Sequence, residues 1–236
     1  MHIDYHVVLK TLREQTDTCP LCSFIESCEN SYFDSMLYSW VGTESFQDRF
    51  LASDGFCPTH AHRLSSRNDG VAVAMLYGPL LRHRRSWLQH AGQGVLRRLI
   101  RRLRTTRNPK PATRGEQAPP DACPLCEQIA QWEENFLGNL RRHEGEEELR
   151  AAFRAGHGLC LPHYRLFAEI TRLPAWIEDY QSNRMENLLN RLEDFTSART
   201  GGAGGRASTP WRELLHFMEG APGTFRRPRS RGRFRW

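Results

Sequence analysis

Apolar side chains along this chain recur mostly at three- and four-residue steps, the rhythm of amphipathic helices. Phe24, Ile25, Cys28, Tyr32, Met36, Leu37 and Trp40 predict one such helix, and Ile129, Trp132, Phe136, Leu137 and Leu140 predict another. A shorter helix is expected to open at Thr43 as N-cap with Glu44 in its first turn, to carry Phe46, Phe50 and Leu51, and to stop at Gly55. Its counterpart runs from Glu146 to Ala155 and ends near Gly156 and Gly158. Val71 to Tyr77, Leu80 and Leu81 continue as an apolar helix, which Trp87, Val95, Leu96, Leu99, Ile100 and Leu103 extend beyond a weak point at Gly78-Pro79. Trp176, Ile177, Tyr180, Met185, Leu188, Leu189, Leu192 and Phe195 predict a long helix over about 174–198. After the glycines at 201, 202, 204 and 205, Thr209-Pro210-Trp211 begins a short helix to Met218, with Pro210 suited to the first helical position.

Six of the seven cysteines fall into one arrangement written twice. Cys19-Pro20-Leu21-Cys22 is followed after 34 residues by Cys57-Pro58-Thr59-His60, and Cys123-Pro124-Leu125-Cys126 after 33 residues by Cys160-Leu161-Pro162-His163. A shift of 103 or 104 positions aligns more than these residues. Ile25 falls on Ile129, Tyr32 on Phe136, Met36 on Leu140, Phe50 on Phe153, Ala52 on Ala155 and Gly55 on Gly158, which marks an internal repeat of one helical unit. The same shift separates the histidines: His60 matches His163, whereas His62 matches Arg165 and His157 matches Asp54. Cys28 matches Trp132 and reads as a small buried hydrophobe.

A two-residue gap lets a tight turn aim both sulfurs of Cys-x-x-Cys at one point, and Cys-x-x-His does the same from a helix start. Two such pairs make a closed tetrahedral Cys₃His set, the usual structural zinc site. The expected ligands are Cys19, Cys22, Cys57 and His60 in a first lobe and Cys123, Cys126, Cys160 and His163 in a second, for two zinc ions. A lobe of about 45 residues is near the size at which an apolar core alone becomes marginal, so metal contributes to its folding. Two alternatives remain open at this point. One is an iron-sulfur cluster with a histidine ligand, the other a thioredoxin-like dithiol whose thiolate is stabilised by a helix dipole.

Charge and composition narrow the class. Apolar residues make up 39% of 236, within the globular range, and no stretch approaches the roughly 20 apolar residues of a membrane span. Met1 to His6 lacks the basic start and apolar run of a signal peptide, which points to the cytoplasm, where thiols stay reduced. The net charge is +6, yet Arg97 to Arg114 carries eight positive charges without an acid and Arg226 to Arg235 carries six, which leaves the remainder at −8. Residues 95–104, where the first strip begins, read as an amphipathic cationic helix; the second strip is a tail with Phe225, Phe234 and Trp236 interleaved. Either is compatible with nucleic acid or an anionic surface, and equally with a solvated face and a disordered solubilising tail. The acidic body suits a protein partner. Paired carboxylates in a common motif, a phosphate loop and a nucleophile elbow are all missing from the sequence, and a closed four-ligand site leaves no position for water, so the reading is non-enzymatic.

The blocks CPLC, Tyr32 to Tyr38, Ala52 to Ala61, the second CPLC, Gly158 to His163 and the closing Trp211 to Leu215 before Gly220 together resemble DUF6062, a family of uncharacterised bacterial proteins. The resemblance covers roughly residues 1–225; it implies the duplicated metal-binding arrangement and no substrate. The expected fold is mostly α. It consists of a first helical lobe with the basic helix over 1–104, a linker over 105–121, a second lobe over 122–200, and a glycine-rich break, short helix and basic tail over 201–236.

Overall fold

The computed structural model describes residues 4–85, 123–200 and 210–221, and among these there is no strand. The helices are α1 (Tyr5–Glu14), α2 (Pro20–Ser35), α3 (Glu44–Ala52), α4 (Pro58–Ser65), α5 (70–85), α6 (Pro124–Arg142), α7 (Glu147–Ala155), α8 (Leu161–Ile170), α9 (Ala175–Thr200) and α10 (Pro210–Glu219). The mostly-α architecture is as expected. The linker over 105–121 and the basic strips Arg97 to Arg114 and Arg226 to Arg235 lie outside the described residues.

Local chemistry accounts for the boundaries. Thr43 is the extended N-cap of α3, which ends two residues before Asp54 and Gly55, at φ 58° and 88°. Gly158, 103 positions on from Gly55, is likewise left-handed at φ 70°. α5 runs unbroken through Gly78-Pro79, with Ala72, Leu76 and Leu80 on its buried side. At its far end α2 widens into a turn of π-helix over Met36–Trp40, closed by the amide of Val41 donating to the carbonyl of Met36 at 2.9 Å. α1 has no counterpart in the sequence expectations. Asp4 caps it by accepting from the Val7 amide at 3.1 Å, and Val8, Leu9 and Leu12 bury its inner side.

Two compact units form, one from residues 1–28 with 129–236 and one from residues 29–128. In the second, Phe33, Phe50 and Phe56 meet edge to face, with ring centroids 5.9 Å apart for Phe33–Phe56 and 5.1 Å for Phe50–Phe56. Met36, Leu64, Leu76 and Leu80 complete that core. In the first, Phe153 contacts Trp176 and Tyr180 edge to face, beside buried Ile25, Ile129, Phe136, Leu140 and Phe167. An ion pair between Arg13 and Glu148 joins α1 to α7.

Helix lengths correct one expectation. Sequence spacing pairs each Cys-x-x-Cys with the Cys-x-x-His that follows it in its own copy, and the structure does not. α2 and its π turn carry the chain outward for 21 residues, about 31 Å at 1.5 Å per residue, whereas α3 returns for nine, about 14 Å. The Cys57 turn therefore arrives beside the middle of α2, at Glu29, and not at Cys22. α6 and α7, with 19 and nine residues, repeat the mismatch. Each Cys-x-x-Cys is left to meet the Cys-x-x-His of the other copy.

Candidate metal centres

Four helix starts carry the candidate ligands. The carbonyls of Cys19, Cys57, Cys123 and Cys160 each accept the first helical hydrogen bond, from Ser23, Ala61, Glu127 and Tyr164. A proline follows within two residues every time, where its missing N–H has no helical partner to lose. Each cysteine is thereby fixed at a cap, with the second residue of its pair one turn inside.

Two groups of four result. Cys19, Cys22, Cys160 and His163 converge in the first unit and Cys57, His60, Cys123 and Cys126 in the second, their donor atoms all within 4.8 Å of one another. In the first group His163 Nδ1 lies 3.4 Å from Cys19 and Cys22 and 3.2 Å from Cys160, and the sulfurs of Cys22 and Cys160 are 3.7 Å apart. In the second, His60 Nδ1 lies 3.3 Å from Cys57, 3.4 Å from Cys123 and 3.2 Å from Cys126, with Cys57 and Cys126 at 3.6 Å. A tetrahedral ion with bonds of about 2.3 Å to sulfur and about 2.0 Å to nitrogen needs edges of roughly 3.8 and 3.5 Å. The donor sets fit one such ion each.

Titration behaviour follows from the crowding. Hydrogen bonds from Cys160 and Cys19 hold the Cys22 thiol well below its usual range, and those from Cys123 and Cys126 do the same for Cys57. Burial pushes Cys19 up, while hydrogen bonds to Cys123 and Cys57, reinforced by burial, push up Cys126. Burial opposes a charge on His60, but hydrogen bonds to Cys123 and Cys57 outweigh it and raise the imidazole to about 9. One thiol in each pocket, Cys22 and Cys57, is thereby favoured as the thiolate, the form that ligates a metal ion. Cys28 differs: burial alone pushes it up to about 12, in keeping with an inert core residue.

Behind each imidazole stands a carboxylate that sequence reasoning missed. His60 Nε2 donates to Glu29 Oε1 at 3.0 Å, and His163 Nε2 donates to Glu133 Oε1 at 3.3 Å. These bonds hold Nε2 toward the carboxylate and turn Nδ1 of each ring to the sulfurs, where an arriving metal ion would displace its proton and be ligated. Glu29 is fully buried and also pairs with Arg63. The signal was present: Glu29 and Glu133 are 104 residues apart, the same shift that relates the Cys-x-x-Cys motifs. Gln181 is a second omission. It is buried at a helical position, where its amide accepts from Leu159 N at 2.9 Å and donates to Leu159 O at 2.8 Å, and so holds the backbone that leads into Cys160.

The first centre has a cover. After α10, Gly220 turns left-handed at φ 75°, and a Cβ there would sit 3.4 Å from the sulfurs of both Cys22 and Cys160. The next amide, Ala221 N, donates to Cys22 Sγ at 3.4 Å. α10 is tied down in turn, since Glu213 accepts from Arg184 at 2.9 Å and pairs with Arg191 at 2.6 Å, while Arg184 donates to His157 Nδ1 at 2.6 Å.

A family model described as a family of unknown function, DUF6062, matches residues 4–195. The chain belongs to this family. The matched DUF6062 region contains all eight candidate ligands and both carboxylates, and it ends before α10 and Gly220 rather than near residue 225. A curated relative, the "Uncharacterized 23.9 kDa protein in xynA 3'region" of Caldicellulosiruptor sp. (strain Rt8B.4), is 38% identical over 66 residues, or 28% of this chain. That alignment spans 32% of the relative's length. No solved structure matches. None of the described helices is long and apolar enough to cross a membrane.

Proposed function

We propose that this DUF6062 protein binds two zinc ions as structural centres and acts as a non-enzymatic interaction protein. The observation that carries the reading is the convergence of eight donors into two closed Cys₃His sets, each with a carboxylate behind its histidine. Four protein ligands fill a tetrahedral ion and leave no position for a reacting water. An iron-sulfur cluster would place its own iron and sulfide atoms between the cysteines and spread their sulfurs, whereas donors within 4.8 Å suit a single ion. The duplication enters as architecture: each ion joins a turn from one copy to a turn from the other. The partner proposed is a protein bound in the cytoplasm by the acidic body. Arg97 to Arg114 and Arg226 to Arg235 supply the competing nucleic-acid reading, which salt-dependent retention on DNA or RNA would support.

Elemental analysis of purified full-length protein tests the metal. Two zinc per chain is the expected result, and iron with labile sulfide and absorption near ~400 nm would overturn it.

A further inference from the structure

The two centres share their donor chemistry and their spacing, but not their access to solvent. In the first, Cys19, Cys22, Cys160 and His163 are each at most 5% exposed, beneath the Gly220–Ala221 strap. In the second, His60, Cys123 and Cys126 are as deeply buried, whereas Cys57 is part-exposed and is the one member of the eight in that state. Cys57 stands where Cys160 stands in the other copy. Its sulfur lies 3.6 Å from Cys126, and the matching pair Cys160 and Cys22 lies at 3.7 Å. Donor spacing is therefore alike at the two centres, and among the described residues the strap lies over the first.

We propose that the second centre is a peroxide-sensitive, zinc-releasing site entered through Cys57, while the strap locks the first. The inference rests on the zinc reading above. The Cys57 thiolate attacks one oxygen of hydrogen peroxide; the O–O bond breaks, hydroxide leaves and Cys57 becomes a sulfenic acid. The Cys126 thiolate then attacks the Cys57 sulfur, the S–S bond forms and a second hydroxide leaves. The two sulfurs give up two electrons, two protons turn both hydroxides into water, and the zinc departs as an unchanged divalent ion. Closing the disulfide shortens the sulfur separation from 3.6 Å to about 2.05 Å, a local movement.

The experiment treats the full-length, metal-loaded chain with hydrogen peroxide, follows released zinc with a chromogenic chelator, and maps the cysteines by mass spectrometry. One equivalent should leave together with a Cys57–Cys126 disulfide, and the second about tenfold or more slowly, since reactivity follows access. Gly220→Val, which strains a left-handed residue and pushes on both sulfurs, should speed the second release toward the first, as should a chain ending at residue 209. Both ions leaving together from the intact chain, or a Cys22–Cys160 disulfide appearing first, would overturn the proposal. The two readings fail differently: a chain loaded with another metal defeats the zinc assignment, whereas a Cys22–Cys160 disulfide appearing first defeats the order of opening.

Discussion

Replacing Glu29 by Gln isolates the contribution of the carboxylate behind His60. The substitution keeps volume and an oxygen able to accept from His60 Nε2, but removes a fully buried negative charge that also pairs with Arg63. A weakened bond to the outer nitrogen lowers the basicity of the nitrogen that faces the metal, and such losses reduce metal affinity about 10- to 100-fold, or about 1.4 to 2.7 kcal/mol. The 3.0 Å bond and full burial place Glu29→Gln toward the upper end. Glu133→Gln, with a 3.3 Å bond and a slightly exposed side chain, belongs nearer tenfold. Chelator competition on the zinc-loaded protein measures both. Each variant should weaken one ion and leave the other at its original affinity. Unchanged affinity in Glu29→Gln, or weakening of both ions together, would refute the assignment of the carboxylate to one imidazole.

Two glycines should respond oppositely to alanine. At Gly158 a Cβ would meet Gln181 Oε1 at 2.2 Å with φ at 70°, so Gly158→Ala should lower stability by about 2 kcal/mol or more, whereas Gly138 in α6 has open space and Gly138→Ala should raise it by about 0.5 to 1 kcal/mol. Thermal melts of the two variants check both signs. His157 is held down to about 4 by burial and by the Arg184 charge, against 6.5 in the unfolded chain. The unfolded state thus binds a proton first as pH falls; stability present above about 6.5 should decline by up to about 3 kcal/mol on the way to about 4, and denaturant titrations of His157→Gln should lack that part of the decline.

Much of this arrangement is written in local pattern. The three- and four-residue steps of Phe24 to Trp40 and the glycine pause before each Cys-x-x-His place α2, α3, α4 and their counterparts, because those signals act over one or two turns. Partner choice at the metal is different. It depends on how far 21 helical residues travel against nine, a sum over whole elements, and the π turn at Met36–Trp40 adds to it without any mark in the hydrophobic rhythm. Glu29 and Glu133 escaped because a lone glutamate in a helix reads as solvated surface until its histidine is seen beside it. α1 escaped for want of length: Asp4 and the apolar trio Val8, Leu9 and Leu12 are its whole signal. Gln181 occupies an inward position that periodicity assigns to an apolar side chain, and its reason for being there is the Leu159 backbone 22 residues away.

The crossed pairing of the repeats is the claim on which the account stands, and cadmium-113 NMR of the cadmium-loaded protein tests it most directly. The intact chain should show two resonances in the range of three sulfurs and one nitrogen. Cys22→Ser and Cys160→Ser should each remove or shift the same resonance, and Cys57→Ser and Cys126→Ser the other. If Cys22→Ser and Cys57→Ser instead act on one shared resonance, each copy holds its own metal and the crossed arrangement is wrong.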